Sequence, residues 1–150
     1  MKLIDRIDSV LRLKGRQVWS VAPTATVFEA IQKMSEKGVG ALLVLSENGR
    51  LDGIISERDY ARNIILKDRS SKQTQVRDIM THGVTTVTPE NTVEECMWLM
   101  TEHRIRHLPV LEGQEVVGIV SIGDLVNWII TAQQERIGHL ERYIAGSYPG

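Results

Sequence analysis

Two Ser-x-x-Asp quartets carry the side chains best suited to chemistry in this chain of 150 residues, Ser56 to Asp59 and Ser121 to Asp124. An ionised carboxylate has two acceptor oxygens and the ribose diol has two donors, so each aspartate could hold a ribose while the serine donates nearby. The same spacing could simply cap a helix, with serine as the N-cap residue. Both quartets follow Gly-Ile-Ile or Gly-Ile-Val, whereas two further boxes of the chain end in Glu, and this difference favours a role beyond capping.

The other reactive side chains do not form a catalytic set. His103 and His107 have the spacing of metal ligands on a helix, but Pro109 breaks that helix and no acidic partner is near. Cys96 lies on an apolar helix face, which predicts a buried and inert thiol. Without a nucleophile–base pair or a metal-ligand set, the sequence predicts a binding protein and not an enzyme.

Composition excludes several classes of protein. The balance of 18 basic and 19 acidic residues, with 5% aromatics, argues against a broad nucleic-acid surface. The longest apolar runs, such as residues 41–45, are far shorter than the roughly 20 residues of a membrane span. The N-terminus lacks the core of a signal peptide. Cys96 is the sole cysteine, which fits a reducing compartment, although a secreted protein without disulfides would look the same; the expected location is the cytoplasm.

An internal repeat organises the chain, at a shift of 66 positions that falls to 65 after one deleted residue. The matches keep one order throughout: residues 20–23 with 86–89, 41–45 with 107–111, 53–56 with 118–121, and Asp59 with Asp124. Matches this numerous in one order establish the repeat.

Each repeat predicts the order strand, helix, strand, strand, helix. An extended stretch, 17–21 or 84–87, ends at a proline, and a Thr-x-x-Glu box then opens a helix. Two apolar runs follow, separated by turn residues, and predict a hairpin of buried strands. A second helix opens at Ser56 or Ser121, and a polar linker spans 67–75. The fold class is therefore α/β (α+β), with two β-α-β-β-α repeats and flanking helices at both ends.

The two flanking helices have apolar faces. Near the N-terminus Ile4, Ile7 and Leu11 share a face, and Gly15 is a plausible end of the helix. The last helix is predicted from Ser121 to about residue 144, with an apolar stripe at three- and four-residue spacing: Val126, Ile130, Gln133, Ile137, Leu140 and Ile144. The stripe could cover the protein's own core, or it could form a seam with a second subunit.

With its repeats defined, the chain resembles the cystathionine-β-synthase (CBS) domain family, as a stand-alone tandem pair of Bateman type. The resemblance rests on residues 20–23 with 26–27, 53–59, 106–110 and 118–124, and it covers about 17–127. It implies pseudo-symmetric units packed sheet to sheet, with two clefts between them that bind adenine nucleotides or related adenosyl ligands. It also implies dimerisation into a flat disc.

Basic residues are distributed unequally between the repeats. Arg104, Arg106 and His107 cluster in the second repeat, and the matching residues of the first are Gly38, Gly40 and Ala41. Arginine suits phosphate, and amide donors at a helix N-terminus would assist it, although a solvated surface patch is the ordinary alternative. We therefore expect two non-equivalent sites, with Arg106 and His107 as the best candidates to hold an anionic group.

The resemblance also places the base of the ligand against the first strand and the hairpin of each repeat. These positions are core-type residues, and a structural role is the alternative for each of them. The complete predicted ligand set is Ser20, Val21, Gly40, Ala41, Leu42, Ile54, Ser56, Arg58, Asp59, Thr86, Val87, Arg106, His107, Leu108, Pro109, Ile119, Ser121 and Asp124.

These patterns predict a regulatory module that binds AMP, ADP, ATP or NAD, without catalysis, as a homodimer with a possible partner protein. Its predicted parts are an N-terminal helix (1–15), repeat 1 with the linker (16–75), repeat 2 (76–127) and a C-terminal helical extension (128–150). The alternative is a structural or interaction module with vestigial clefts that acts through its terminal helices. No metal, nucleic-acid polymer or membrane is expected as a partner.

Overall fold

A computed structural model describes residues 5–144, without the side chains of residues 136 and 139–144 in the last helix. The helices are α1 (Ile7–Lys14), α2 (Val27–Lys37), α3 (Glu57–Tyr60), α4 (Val93–His103) and α5 (Ile122–Ile144). The strands are β1 (Ser20–Val21), β2 (Ala41–Leu45), β3 (Leu51–Ser56), β4 (His107–Glu112) and β5 (Glu115–Ser121). A π-helical turn, Ala61–Ile65, follows α3, and a 3₁₀ turn spans Val76–Asp78. The predicted mixed α/β class is confirmed.

Each repeat forms one small sheet. In the first sheet β1 lies parallel to β2, with Ser20 opposite Leu43, and β2 lies antiparallel to β3. The second sheet consists of β4 and β5. Each hairpin turns at a glycine with positive φ, 78° at Gly49 and 62° at Gly113, a conformation that a side chain disfavours. Both predicted hairpins are therefore confirmed.

The predicted first strand of the second repeat is wrong, because residues 84–86 form no strand. Only Val87 makes a β-bridge there, and Thr86 is exposed. A strand needs consecutive residues paired to one neighbour, but the chain leaves one compact unit at Thr86 and enters the other at Val87. In the first repeat the predicted stretch 17–21 shortens to Ser20–Val21.

Contacts divide the chain into two compact units whose borders differ from those of the repeats. One unit contains Gln17–Thr86 and Pro109–Gly118. The other contains α1, Val87–Leu108 and the chain from Ile119 onward. The four-part division into 1–15, 16–75, 76–127 and 128–150 stays a prediction.

The core of the first unit lies between α2 and the sheet. Its buried residues come from α2, β2, β3 and the segment after α3: Val27, Ala30, Met34, Leu42, Val44, Ile55, Ile64, Val76 and Ile79. The linker predicted as polar is tied to the start of α2, because the amides of Val27 and Phe28 donate to the carbonyls of Thr74 and Ser71, each over 2.9 Å. Thr74 is only 5% exposed, so part of the linker is buried.

In the second unit α1 and α4 both pack against α5. Ile7 and Leu11 of α1 are fully buried, as their shared face predicts, and α1 ends at Gly15. Ile4, the third residue of that predicted face, lies outside the described residues. The indole of Trp128 donates to a carboxylate oxygen of Asp5 over 3.0 Å, which ties the start of α1 to α5.

The stripe on α5 faces away from the core of its own unit. Val126, Ile130 and Ile137 are 41%, 47% and 55% exposed, whereas Leu125 is fully buried. The side chains of Leu140 and Ile144 lie outside the described part of the chain. In the described part of α5, therefore, the stripe does not cover the core. None of the described helices combines the length and apolar composition that a membrane span needs.

Gly53 in β3 permits a close approach by the following segment. A Cβ at this position would lie 2.7 Å from Sδ of Met80 and 2.7 Å from the carbonyl oxygen of Thr81. Because a bridge to Ile54 holds the Thr81 backbone, that oxygen has little room to move. We expect Gly53→Ala to lower the free energy of unfolding by about 1 to 3 kcal/mol, measured by urea denaturation.

The matched control is Gly138→Ala in α5, where a Cβ would meet nothing within 4 Å. This change should be neutral or should stabilise the protein by up to about 1 kcal/mol, because alanine favours helix. Equal losses in the two variants would contradict the role assigned to Gly53.

Candidate functional site

Asp59 lies in a hydrogen-bonded loop where β3 meets α3. Its Oδ2 accepts from the amide of Ser56 over 2.9 Å and from the hydroxyl of Ser56 over 3.1 Å. Its own amide donates to Oγ of Ser56 over 3.3 Å, so the quartet is a complete capping box. Oδ1 of Asp59 accepts from the hydroxyl of Thr81 over 3.3 Å. The carboxylate is thus held at the first turn of the helix and is partly buried.

Asp124 lies in the matching loop where β5 meets α5. The amide of Ser121 donates to Oδ2 of Asp124 over 2.8 Å, and the amide of Asp124 donates to Oγ of Ser121 over 3.1 Å. The helix starts predicted at Ser56 and Ser121 are therefore both confirmed. Both quartets therefore cap a helix, and ligand binding by their aspartates stays a prediction.

Each loop makes one further hydrogen bond, to the carbonyl of the residue directly before the hairpin of its own repeat. The amide of Glu57 donates to the carbonyl of Gly40 over 3.0 Å, and the amide of Ile122 donates to the carbonyl of Arg106 over 2.9 Å. Gly40 and Arg106 are matched positions of the repeat. The backbone thus brings Gly40 and Ile54 to the Asp59 loop, and Arg106 and Ile119 to the Asp124 loop.

A lysine from α1 distinguishes the Asp124 loop. Nζ of Lys14 lies 2.6 Å from Oδ2 of Asp124 and donates to the carbonyl of Ile119 over 2.8 Å. The two charged side chains are 29% and 25% exposed. Burial alone would raise the pKa of Asp124, but the hydrogen bond from Lys14 and those from Ser121 lower this pKa below its ordinary value. Asp124 is therefore held as a carboxylate.

Sequence reasoning missed both extra partners, Thr81 and Lys14. Thr81 is 22 positions from Asp59 and Lys14 is 110 positions from Asp124. Thr81 lies two positions before Gly83, and nothing in its local sequence marked it as a partner of Asp59. Lys14 carried only the weak signal of a basic residue in the last turn of a helix, which is favourable there in any protein.

The predicted base-binding residues are mostly buried. Ala41, Leu42 and Val87 are 6%, 0% and 3% exposed, and Leu108 is fully buried. Leu42 belongs to the core of its unit, so a ligand would meet its backbone before its side chain. Pro109 is buried as well, whereas Ser20, Val21, Ile54 and Ile119 are partly exposed and Thr86 is exposed.

The predicted phosphate-binding residues lie at the surface. Arg58 is on the exposed face of α3, and Arg106 is exposed directly before β4, at whose start His107 is partly buried. Arg104 ends α4 in the left-handed conformation, with φ of 54°. The role of these basic side chains in a site stays a prediction.

Cys96 is fully buried in α4, as predicted, and burial raises the pKa of its thiol to about 12. A thiol in that state is a poor nucleophile. Among the residues that the structure describes, no three potential metal-ligating side chains come together.

Comparison with known proteins identifies the family. The model of the CBS domain matches the chain twice, over residues 12–66 and 76–131. CBS domain-containing protein CBSX3, mitochondrial, from Arabidopsis thaliana is 44% identical over 150 residues, which cover 95% of this chain and 73% of that protein. In some other curated plant relatives the matched region is only 26% of the length.

Solved structures agree with this match. A CBS-domain protein from Burkholderia ambifaria MC40-6, provisionally described as a signal-transduction protein, has a TM-score of 0.81 and 47% identity, over 85% of this chain and 96% of that one. A hexameric CBS-CP12 protein from bloom-forming cyanobacteria has a TM-score of 0.74 and 27% identity, over 82% and 67% of the two chains. The chain belongs to the CBS-domain family and contains a tandem pair of CBS domains.

Replacing Lys14 by Met should raise the pKa of Asp124 and change the pH dependence of stability. In the wild type this pKa lies below its ordinary value of 3.8, so the carboxylate stabilises the fold above that value and ceases to do so as the pH falls through the lowered pKa. Because solvent screens this partly exposed pair, we expect Lys14→Met to lower the free energy of unfolding by about 1 kcal/mol at neutral pH, and by less in strong acid. Urea denaturation at both pH values, with NMR titration of the Asp124 carboxyl, measures these changes.

The control is Arg12→Met, which removes a charge from the same helix. Arg12 pairs with Asp8 over 2.7 Å, whereas the ion-pair partner of Asp124 among the described residues is Lys14, so this variant should leave the titration of Asp124 unchanged. An identical pKa of Asp124 in the wild type and in Lys14→Met would contradict the role assigned to Lys14.

Proposed function

We propose that this protein is a regulatory module that binds an adenine nucleotide, AMP, ADP, ATP or a NAD-type ligand, through the Ser-x-x-Asp loops. The observation that carries the proposal is the shared geometry of these loops. In each, the backbone amide of a serine holds one oxygen of a partly buried carboxylate at a strand–helix junction. A carboxylate held in this way offers preorganised acceptors to the hydroxyls of a ribose.

The Asp59 loop supports this proposal most directly. In the part of the chain that the structure describes, the partner of Oδ1 of Asp59 is the neutral hydroxyl of Thr81, at 3.3 Å, which is long for a hydrogen bond between oxygens. A hydroxyl can rotate and can also accept, so Thr81 can make way for a ribose hydroxyl or bind beside it. The partly exposed Ile54 lies at the same loop and offers an apolar surface for the base.

Regulation without catalysis is the second part of the proposal. CBS-domain proteins are generally non-catalytic regulatory modules, and the buried thiol of Cys96 offers no nucleophile. A ligand can change the protein's conformation or its dimer only by as much as it binds one state more tightly than another. The output is then a change in conformation or in subunit contacts, which a partner protein could read.

Titration with AMP, ADP, ATP, NAD and S-adenosylmethionine by calorimetry tests the proposal. We expect at least one of them to bind, and Asp59→Ala to weaken that binding about tenfold or more, because a hydrogen bond to a charged group is lost. The absence of heat with all five ligands would overturn the proposal.

The matched control for the loss of a helix cap is Glu29→Ala. Glu29 closes the capping box of Thr26 at the start of α2, in the same way that Asp59 closes the box of Ser56. Both variants should lose similar stability, and only Asp59→Ala should lose affinity. Equal affinity in the two variants would favour a capping role alone for Asp59.

The exposed face of α5 favours a dimer as the unit that carries the signal. Three apolar residues of the α5 stripe, Val126, Ile130 and Ile137, share one face of the helix and are all at least 41% exposed. Burying such a stripe against its copy in a second subunit would remove apolar surface from water. The same observation supports the alternative function, a structural module that acts through its terminal helices.

Ile130→Asp should convert such a dimer to a monomer, because a charge would be buried in the seam without a partner. Sedimentation velocity measures the change. Asn127→Asp, which places the same charge next to the stripe on an exposed position of the same helix, should leave the mass unchanged. A wild-type protein that is monomeric at all concentrations would exclude the seam.

We propose a reducing compartment as the location, since the one cysteine is buried and no disulfide can form within the chain. The cytoplasm stays the prediction from the sequence. The relative at 44% identity carries the word mitochondrial in its name, and imaging of a tagged protein decides between compartments.

A further inference from the structure

Lys14 lies where one hydroxyl of a ribose diol would have to bind at Asp124. Oδ2 of Asp124 already accepts from the amide of Ser121 and from Nζ of Lys14. No ion pair is made to Oδ1 among the residues that the structure describes. Because a diol recognised in the bidentate manner needs both oxygens, a ligand at Asp124 finds one acceptor open and must compete with an ammonium for the other.

Lys14 is held in this position by folded structure. It is the last residue of α1, whose Ile7 and Leu11 are fully buried and whose start is tied to α5 through Asp5 and Trp128. Nζ also donates to the carbonyl of Ile119 over 2.8 Å, so two acceptors fix the ammonium. The lowered pKa of Asp124 agrees with a standing ion pair.

Among the residues that the structure describes, no charged side chain forms an ion pair with Asp59 in the first repeat. Oδ1 of Asp59 accepts from the hydroxyl of Thr81 at 3.3 Å, and Oδ2 accepts from the amide and the hydroxyl of Ser56. Displacing a neutral hydroxyl at that distance costs much less than displacing an ammonium at 2.6 Å from a partly shielded carboxylate. The two aspartates therefore differ in the ligand that they can accept.

We propose that Lys14 is a specificity-determining residue that excludes a ribose diol from Asp124 and confines ribose-type binding to the Asp59 loop. This inference rests on the proposed function and assigns the ligand class of the same loops. A ligand can bind through Asp124 only if it displaces Lys14 or meets the third N–H of the ammonium with an acceptor of its own. The wild-type chain is accordingly expected to bind one AMP.

Calorimetry with AMP and with 2′-deoxy-AMP tests the inference on the wild type, Lys14→Met, Arg12→Met and the double variant Lys14→Met with Asp124→Ala. Thermal unfolding confirms that each variant is folded. We expect one AMP per chain for the wild type and for Arg12→Met, and two for Lys14→Met. The added site should be lost in the double variant, and it should not bind 2′-deoxy-AMP, which lacks the diol.

A single AMP per chain in Lys14→Met, with the affinity of the wild type, would overturn the inference and leave the proposed function intact. Weaker AMP binding in Lys14→Met would also overturn it, since Lys14 would then hold the ligand. If none of the four proteins binds AMP and the wild type binds no other adenosyl ligand, the proposed function fails and the inference fails with it.

Discussion

The amide groups in the first turn of a helix have no partner within that helix, and this chain supplies one from a side chain at four separate helix starts. Thr26 and Thr92 open boxes that glutamates close, at α2 and α4. Ser56 and Ser121 open boxes that aspartates close, at α3 and α5. In all four boxes the carboxylate accepts from the backbone amide of the N-cap residue, and the two aspartates do so where a strand ends and a helix begins. The same constraint that starts the helices therefore also sets the position of both candidate ligand-binding carboxylates.

Two segments distant in the chain make the two carboxylates unequal. The chain after the linker returns to β3, and the bridge between Ile54 and Thr81 brings a neutral hydroxyl to Asp59. At the other loop α1 packs on α5 and brings the ammonium of Lys14 to Asp124. Two quartets with one spacing and one capping geometry thus meet partners of different charge. The proposed difference in ligand binding rests on these partners, and not on the unequal basic residues that the sequence displays.

Much of the fold could be predicted from sequence because its signals are local. The Thr-x-x-Glu boxes, the glycine turns at Gly49 and Gly113 and the long helix α5 each depend on a few neighbouring residues, and the structure contains all of them. The strand predicted at 84–87 failed because a strand is defined by its neighbour, and here the chain passes between compact units. The linker at 67–75 is polar in composition, yet Thr74 is buried, because its backbone supplies the acceptors that the start of α2 needs.

The candidate site shows the same difference between local signals, which the sequence contains, and long-range contacts, which it does not. The sequence by itself determined that Ser56 with Asp59, and Ser121 with Asp124, would stand at the starts of helices, since a three-residue spacing places each carboxylate at the first turn whatever surrounds it. Only the tertiary structure decided what else those carboxylates contact. Thr81 and Lys14 lie 22 and 110 positions away in the chain, and no local pattern records which distant side chain packing brings to a charge. Packing also decided that the α5 stripe faces outward, because the burial of a helix face depends on its neighbours and not on its own periodicity.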